Sequence, residues 1–331
     1  MFHVAILAGG PSSEHEVSLA TSAEMLSILR SGGHEVRPVL IDRENRWSVG
    51  SLEDSFDLSG EPTSCEQALK QLKSHGEVAC LGLHGPYGED GTVQRLLESA
   101  GIPYTGSGPV ASAVGMDKEL SKLAAGKAGA RTASHEVLEG ARFPAWGIQK
   151  GVGYPCFVKP VDAGSSVGVA RAEDEAALRA AIPLAQAEDT RGRCMVESLI
   201  TGNEVTCTVL RHGEELLTFP LVSVQPADAF YDYHAKYNSK DTQYICPAEV
   251  RRETQAEIEL VSRTLYGLLQ LDGVVRMDFI VREEDGQPVF LELNTLPGFT
   301  SHSLVPMAAH AAGWSSLQVL ESILTNRQAL P

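Results

Sequence analysis

Residues 2–41 read FHVAILAGGPSSEHEVSLATSAEMLSILRSGGHEVRPVLI. Phe2 to Leu7 is an unbroken apolar run of strand length, and Gly9-Gly10-Pro11-Ser12-Ser13 is a turn. Leu19, Ala23, Leu26 and Leu29 then recur at helical spacing until Gly32-Gly33 stops the pattern. Val36 to Ile41 is a second strand. Strand, crossover helix and strand in this order predict a βαβ unit, and with it an α/β fold built on a parallel sheet.

The same alternation continues outward. Val78 to Leu83 reads as a third strand, followed by the loop 84–91 and a helix through Leu96 and Leu97. Between them the polar stretch Asp42 to Glu66 has no clear period and reads as a surface hairpin or loop. Gly106-Ser107-Gly108-Pro109 marks the first boundary. Beyond it a helical segment through Lys118 leads to a strand at Pro155 to Lys159, a glycine loop at 164–168 and a strand at Cys194 to Glu197. A long amphipathic helix with Ile258, Val261, Leu265 and Leu268 on one face follows. Three units are expected: 1–106, 107–200 and 201–331.

Composition narrows the function. In 331 residues, 27 Lys+Arg oppose 43 Asp+Glu, a formal net charge of −16, and no stretch offers the basic stripe that grips a polyanion. Nucleic acid is therefore not expected as a partner. The six cysteines show neither a Cys-x-x-Cys pair nor a zinc spacing with His, and read as reduced thiols of a cytoplasmic protein. The apolar run at the N-terminus is too short for a signal sequence, and no run of 18 apolar residues suggests a membrane span.

Chemistry concentrates near the C-terminus, where Val274 to Ile280 and Val289 to Asn294 both read as strands. Alternation puts Arg276 and Asp278 on one face, opposite Val275, Met277 and Phe279, and puts Glu292 and Asn294 on one face likewise. As neighbours, these strands would present Arg, Asp, Glu and Asn together, a hard oxygen donor set suited to Mg²⁺ with substrate phosphates. Ordinary solvent-facing alternation is the bland alternative, opposed by the Gly/Ser/Thr loop 295–303 that follows directly. Lys159 at a strand end, followed by Gly164-Ser165-Ser166-Val167-Gly168, forms a plausible phosphate cradle, although a glycine hairpin reads the same way and no Walker A ending is present. Four of eight tyrosines fall between 231 and 244, in a polar-aromatic segment suited to a lid or to a hairpin. At the first turn, Glu14 stands where a dinucleotide fold would carry glycine. A carboxylate there repels phosphate and favours an ammonium, so Glu14 and His84 could face one amine-bearing ligand.

Taken in order, Gly9-Gly10, Glu14-x-Glu16-Val17-Ser18, Leu83-His84-Gly85, Gly88-Glu89-Asp90-Gly91, Tyr104-Thr105-Gly106-Ser107, Met116-Asp117-Lys118, Lys159-Pro160, the glycine loop, Phe230-Tyr231-Asp232-Tyr233, Lys236-Tyr237, Glu292-x-Asn294-Thr295 and Pro297-Gly298 resemble the D-alanine–D-alanine ligase family. The match runs over almost the whole chain. The resemblance implies an ATP-grasp fold with an N-terminal Rossmann-like domain, and an enzyme that joins two D-alanines for peptidoglycan synthesis using ATP and two Mg²⁺ ions, for which Mn²⁺ could substitute. It implies a cytoplasmic homodimer with small-molecule substrates and no membrane or nucleic-acid partner.

By the same resemblance Lys118, Lys159, Ser166 and Lys236 would hold ATP phosphates. Glu197, Ser198, Leu199 and Ile200 would meet adenine, and Glu204 the ribose. Asp278, Glu292 and Asn294 would ligate the metals. Glu14, with His84 nearby, would bind the first ammonium and share hydrogen bonds with Ser165 and Tyr237. Arg276 and the Gly298 N–H would stabilise the oxyanion, while Ser303 and Leu304 would hold the second carboxylate. His15, Ala163, Ser198 and Leu199 depart from residues common in relatives, the last two beside the adenine. Competing readings are a ligase forming an ester with D-lactate, another ATP-grasp carboxylate–amine ligase, and a non-catalytic nucleotide-binding regulator. A dinucleotide oxidoreductase fails on the missing glycine fingerprint.

Overall fold

The computed structural model describes residues 1–58, 61–140, 151–165, 167–225 and 242–326. β1 (His3–Gly9), α1 (His15–Ser31) and β2 (Glu35–Ile41) form the opening βαβ unit, with β1 and β2 parallel and Val4 opposite Val36. β4 (Val78–Leu81) pairs parallel on the other side of β1, and β3 (Trp47–Val49) closes the far edge antiparallel, giving the order β3-β2-β1-β4. Val4 to Ala8 are all fully buried, as expected for a central parallel strand covered on both faces. The polar stretch 42–66 holds β3 with a buried Trp47, then the capping box that starts α2 (Cys65–His75), Ser64 with Gln67. α3 (Thr92–Ala100) completes this unit.

A second sheet is wholly antiparallel: β6 (His135–Glu139), β9 (Arg193–Ser198), β7 (Cys156–Pro160) and β8 (Ala170–Ala172), in that spatial order. α6 (Glu175–Glu188) covers it by packing Leu178, Ala181 and Ala185 on Val158, Cys194 and Val196.

Among the described residues the third sheet has seven strands. Its path is β13 (Gln243–Ile245), β12 (Val222–Gln225), β10 (Gly202–His212), β14 (Val274–Arg282), β15 (Pro288–Asn294) and β5 (Arg131–Thr132), with β11 (Glu215–Thr218) off β10. α7 (Arg252–Leu268) buries Ile258, Val261 and Leu265 against Val275, Met277 and Phe279 as the amphipathic pattern predicts, but Leu268, expected on the same face, lies exposed at the last residue of the helix, beyond the sheet it packs on.

α4 (Pro109–Met116) and α5 (Lys118–Lys127) also belong to this third layer. Ala111 and Ala125 share its core, and a Cβ on Gly115 would come within 2.8 Å of Thr295. The apolar faces of residues 109–132 therefore pack on the third sheet, their small side chains letting the helices approach β15 closely, while Asp117, Lys118 and Lys122 make polar contacts with the second sheet and the loop after β7.

α8 (Leu304–Ala311) and α9 (Ser316–Thr325) fill the gap between the first and third sheets, where Val305, Ala308 and Leu320 meet Ile6, Leu210 and Val222 in one core. Among the described residues no helix is long and apolar enough to cross a membrane.

Candidate active site

Two cavities open where the three sheets converge. One, of about 310 Å³, lies between the first and third units and is lined by Glu14, His84, Arg276, Gly298, Ser303 and Leu304, among others. The other, of about 470 Å³, lies between the second and third sheets, against Lys159, Glu197, Ile200, Asp278 and Ile280. Lys118, Ala163, Gly164, Glu204 and Glu292 line both, so the cavities meet along these five residues. Their sizes suit a small molecule and a nucleotide.

Glu14 precedes α1 and is buried. Ser165 Oγ donates to Glu14 Oε1, tying the glycine loop to the first unit. A Cβ on Gly85 would stand 2.4 Å from Glu14 Oε2, and one on Gly164 2.5 Å, so the carboxylate sits between two glycines where any side chain would displace it. His84 is buried beside it, with Nε2 2.9 Å from Thr21 Oγ1 and Nδ1 4.0 Å from Glu89. Burial, reinforced by the charge of Arg276, holds this imidazole down to about 4, so it is neutral at pH 7. Glu89 accepts from the Gly85 N–H (3.0 Å) and the Leu296 N–H (2.9 Å), pinning the loop that leads to Gly298. Burial and the neighbouring Glu14 push its carboxyl up to about 7.

β14 and β15 pair antiparallel with Arg276 opposite Asn294 and Asp278 opposite Glu292. The guanidinium of Arg276 grips Asp278 in a fork, Nε to Oδ1 at 2.8 Å and Nη2 to Oδ2 at 2.9 Å, and Asn294 Nδ2 donates to the same Oδ2 at 3.0 Å. The four polar residues expected to meet do so. A bulge interrupts the register after Asp278, since Phe279 faces Phe290, leaving Leu291 as the extra residue.

On the wall of the larger cavity Glu197 ion-pairs through Oε2 with Lys159, which lines the cavity, and through Oε1 with Lys122, buried behind the wall. Burial alone would raise the Glu197 carboxyl, but Lys159 and Lys122 outweigh it and hold it near 2. Lys118, the first residue of α5, donates from Nζ to the carbonyl of Ala163. Ser198, Leu199 and Ile200 line the cavity wall at the end of β9. Glu204, on β10, stands at the junction of the two cavities.

At the far end of the smaller cavity, Ser303 precedes α8 and its Oγ accepts from the Thr300 N–H at 3.0 Å. Gly298 and Leu304 line the same wall, where the N–H groups of the first turn of α8 can receive an anion. Ser166, Lys236, Tyr237 and the rest of the tyrosine-rich segment to residue 241 lie outside the described residues.

A divalent cation fits the β14–β15 face by its chemistry. Among the described residues no group of three or more His, Cys, Asp or Glu could hold a metal ion alone. Two in-register carboxylates with an amide supply oxygen donors that phosphates must complete, which is the Mg²⁺ pattern. Sequence reasoning missed Glu89, Lys122 and Arg193. Glu89 lay inside a quoted motif without a role, and Lys122 stands four residues after Lys118, where a lysine on the same helical face was the available signal.

Comparison with known proteins gives the family. The family model described as D-ala D-ala ligase N-terminus matches residues 3–107, and that described as D-ala D-ala ligase C-terminus matches 133–325. D-alanine–D-alanine ligase B of Chromobacterium violaceum is 40% identical over 326 residues, covering 97% of each chain. The D-alanine–D-alanine ligase of Nitrosospira multiformis is 41% identical over 323 residues, covering 97% of this chain and 95% of that one. Among solved structures, the VanG D-Ala:D-Ser ligase from Enterococcus faecalis superposes with a TM-score of 0.82 at 31% identity, covering 98% of both chains. The D-alanine–D-alanine ligase from Bacillus anthracis complexed with ATP gives 0.77 at 29%, covering 98% and 97%. With its three sheets and both family models in place, the chain belongs to the D-alanine–D-alanine ligase family, on the ATP-grasp fold.

Proposed function

We propose that this enzyme joins two D-alanines into D-alanyl-D-alanine, a peptidoglycan precursor, at the expense of ATP. The observation that carries the reading is the junction of the two cavities: the one holding the buried carboxylate of Glu14 and the larger one lined by Lys159 meet along Lys118, Gly164 and Glu292. A carboxylate held by its ammonium at Glu14 can there reach the terminal phosphate of a nucleotide held on the other side.

Lys118 and Lys159, joined by Ser166 and Lys236, hold the phosphates. With the Glu197 side chain turned to its lysines, the 197–200 segment offers adenine backbone groups and the side chains of Ser198, Leu199 and Ile200, while Glu204 takes the ribose. Asp278, Glu292 and Asn294 would hold two Mg²⁺ ions, or Mn²⁺, which supply charge stabilisation for the transferred phosphoryl group. Phosphoryl transfer activates the first D-alanine as an acyl phosphate and releases ADP. The amine of the second D-alanine then attacks the acyl carbon, and phosphate leaves. Arg276, held in place by Asp278, and the Gly298 N–H face the oxyanion that forms. Ser303 and the N-terminus of α8 at Leu304 hold the second carboxylate. Ser165 and Tyr237 join Glu14 to close the site, which keeps water from the acyl phosphate.

The structural likeness to a D-Ala:D-Ser ligase makes the second substrate the point to test. Phosphate release from Mg-ATP is measured with D-alanine, L-alanine, and D-alanine plus D-serine or D-lactate, with products identified by mass. Turnover that requires D-alanine and yields the dipeptide supports the reading. A mixed product formed in preference would reassign the second substrate, and no turnover with any D-amino acid would remove the ligase assignment.

A further inference from the structure

Lys122 is a lysine whose side chain is fully buried (0% exposed), and the reaction above does not use it. It lies one turn beyond Lys118 on α5, with Nζ paired to Glu197 Oε1 and 3.4 Å from the carbonyl oxygen of Phe290 on β15. Glu197 in turn pairs through Oε2 with Lys159, which lines the nucleotide cavity. One carboxylate thus stands between two ammonium groups, one sealed behind the wall and one at its surface. The group carries a net charge of plus one, and only Lys159 reaches the cavity surface.

We propose that Lys122 is a positioning residue for ATP: its sealed ammonium neutralises Glu197, so that the charge of Lys159 remains available to the phosphates. The inference rests on reading the larger cavity as the ATP site. Without Lys122, Lys159 and Glu197 would form a closed neutral pair. Drawing Lys159 toward a phosphate would then strand a buried carboxylate, which is costly. With Lys122 present, Glu197 keeps a partner whatever Lys159 does. The low pKa of Glu197 and the downward push of burial on Lys122, with Lys159 adding to it, agree with three charges packed within reach of one another.

The test is steady-state kinetics on full-length variants. Lys122→Met is expected to raise KM for ATP about tenfold, the scale of one charge acting across a partly solvated cavity. Its KM for D-alanine and its kcat should stay within about twofold, since no interaction made only in the transition state is lost. Glu197→Gln makes the counter-charge unnecessary, so Glu197→Gln and the double variant Lys122→Met/Glu197→Gln should share one KM for ATP. This second comparison stands even if Lys122→Met alone does not fold. An unchanged KM for ATP in folded Lys122→Met would overturn the proposal, as would a double variant markedly worse than Glu197→Gln. Failure of the wild-type enzyme to saturate with ATP would instead remove the reading of the cavity.

Discussion

Phe290 and Glu292 stand two residues apart on β15 yet face opposite sides of the sheet. Phe290 is fully buried and packs edge-on to Phe279 at 5.7 Å between ring centroids, whereas Glu292 lines both cavities. Strict alternation would put the two on one face. The bulge between them, with Leu291 as the extra residue, turns the strand so that Phe290 closes the core while Glu292 comes opposite Asp278. The same device is common beside active sites, where it re-aims a side chain.

Glu292→Gln keeps the shape of this side chain and removes its charge. Turnover at ordinary magnesium should fall by about a hundredfold or more, because a carboxylate ligand stabilises phosphoryl-transfer charge by several kcal/mol. Circular dichroism and the unfolding midpoint should change little, since Glu292 lies on a cavity wall. Full activity in phosphate release would remove Glu292 from the metal site.

How far the sequence could be read depended on period. Residues 2–41 declared their strand, helix and strand because one period dominates each, and Arg276 and Asp278 face the site as alternation requires. Periodicity has no means of showing the bulge at Leu291, since one inserted residue leaves both flanking halves regular. It was equally silent on Trp47, buried within a stretch of polar neighbours. The packing of residues 109–132 on the third sheet depends on Gly115 and two alanines approaching β15, a contact between distant segments that no local pattern encodes. Arg193 was invisible for a related reason, and the spacing of Lys122 from Lys118 hinted only at a shared face: a buried charge looks like a solvated one until its partner, far along the chain, is placed beside it.

Arg193 is the clearest case for stability. Its Nη1 lies 2.8 Å from Asp117 Oδ2, and Nη2 and Nε lie 3.5 Å from Asp162 and Asp189. Asp117 caps α5 through the Glu119 and Leu120 N–H groups, so the cluster fastens the Lys118 helix to the second sheet. Arg193→Gln would leave buried carboxylates without their cation, and a loss of about 3–5 kcal/mol is expected in urea unfolding. A loss below about 1 kcal/mol would place these charges in effective contact with solvent.

His84 sets a pH dependence. Because burial and Arg276 hold its folded pKa near 4, the unfolded chain takes up a proton at about pH 6.5 that the folded protein refuses. Stability should therefore fall as pH drops from about 6.5 to 4, by an amount of order 3 kcal/mol for this group. Glu89 acts oppositely: raised to about 7, it contributes stability fully present below about 4.5 and lost as pH rises through 7. His84→Gln removes the first effect, so its urea midpoint should decline less between pH 6.5 and 4 than that of the wild type. Parallel midpoints over that range would show that His84 titrates normally.

Ser165 allows a hydrogen bond and a backbone conformation to be separated. Its φ of 49° lies in the left-handed region, and its Oγ donates to Glu14. Ser165→Ala removes the bond and keeps the strained backbone, while Ser165→Gly removes both. A hydrogen bond to a charged group contributes about 1.5–3 kcal/mol, so each variant should raise KM for the first D-alanine about tenfold or more. Ser165→Gly should unfold at higher urea than Ser165→Ala, since glycine adopts this conformation for about 1 kcal/mol less. Should Ser165→Gly bind D-alanine as the wild type does, the backbone of the loop and not its hydroxyl would be what holds Glu14 toward the substrate.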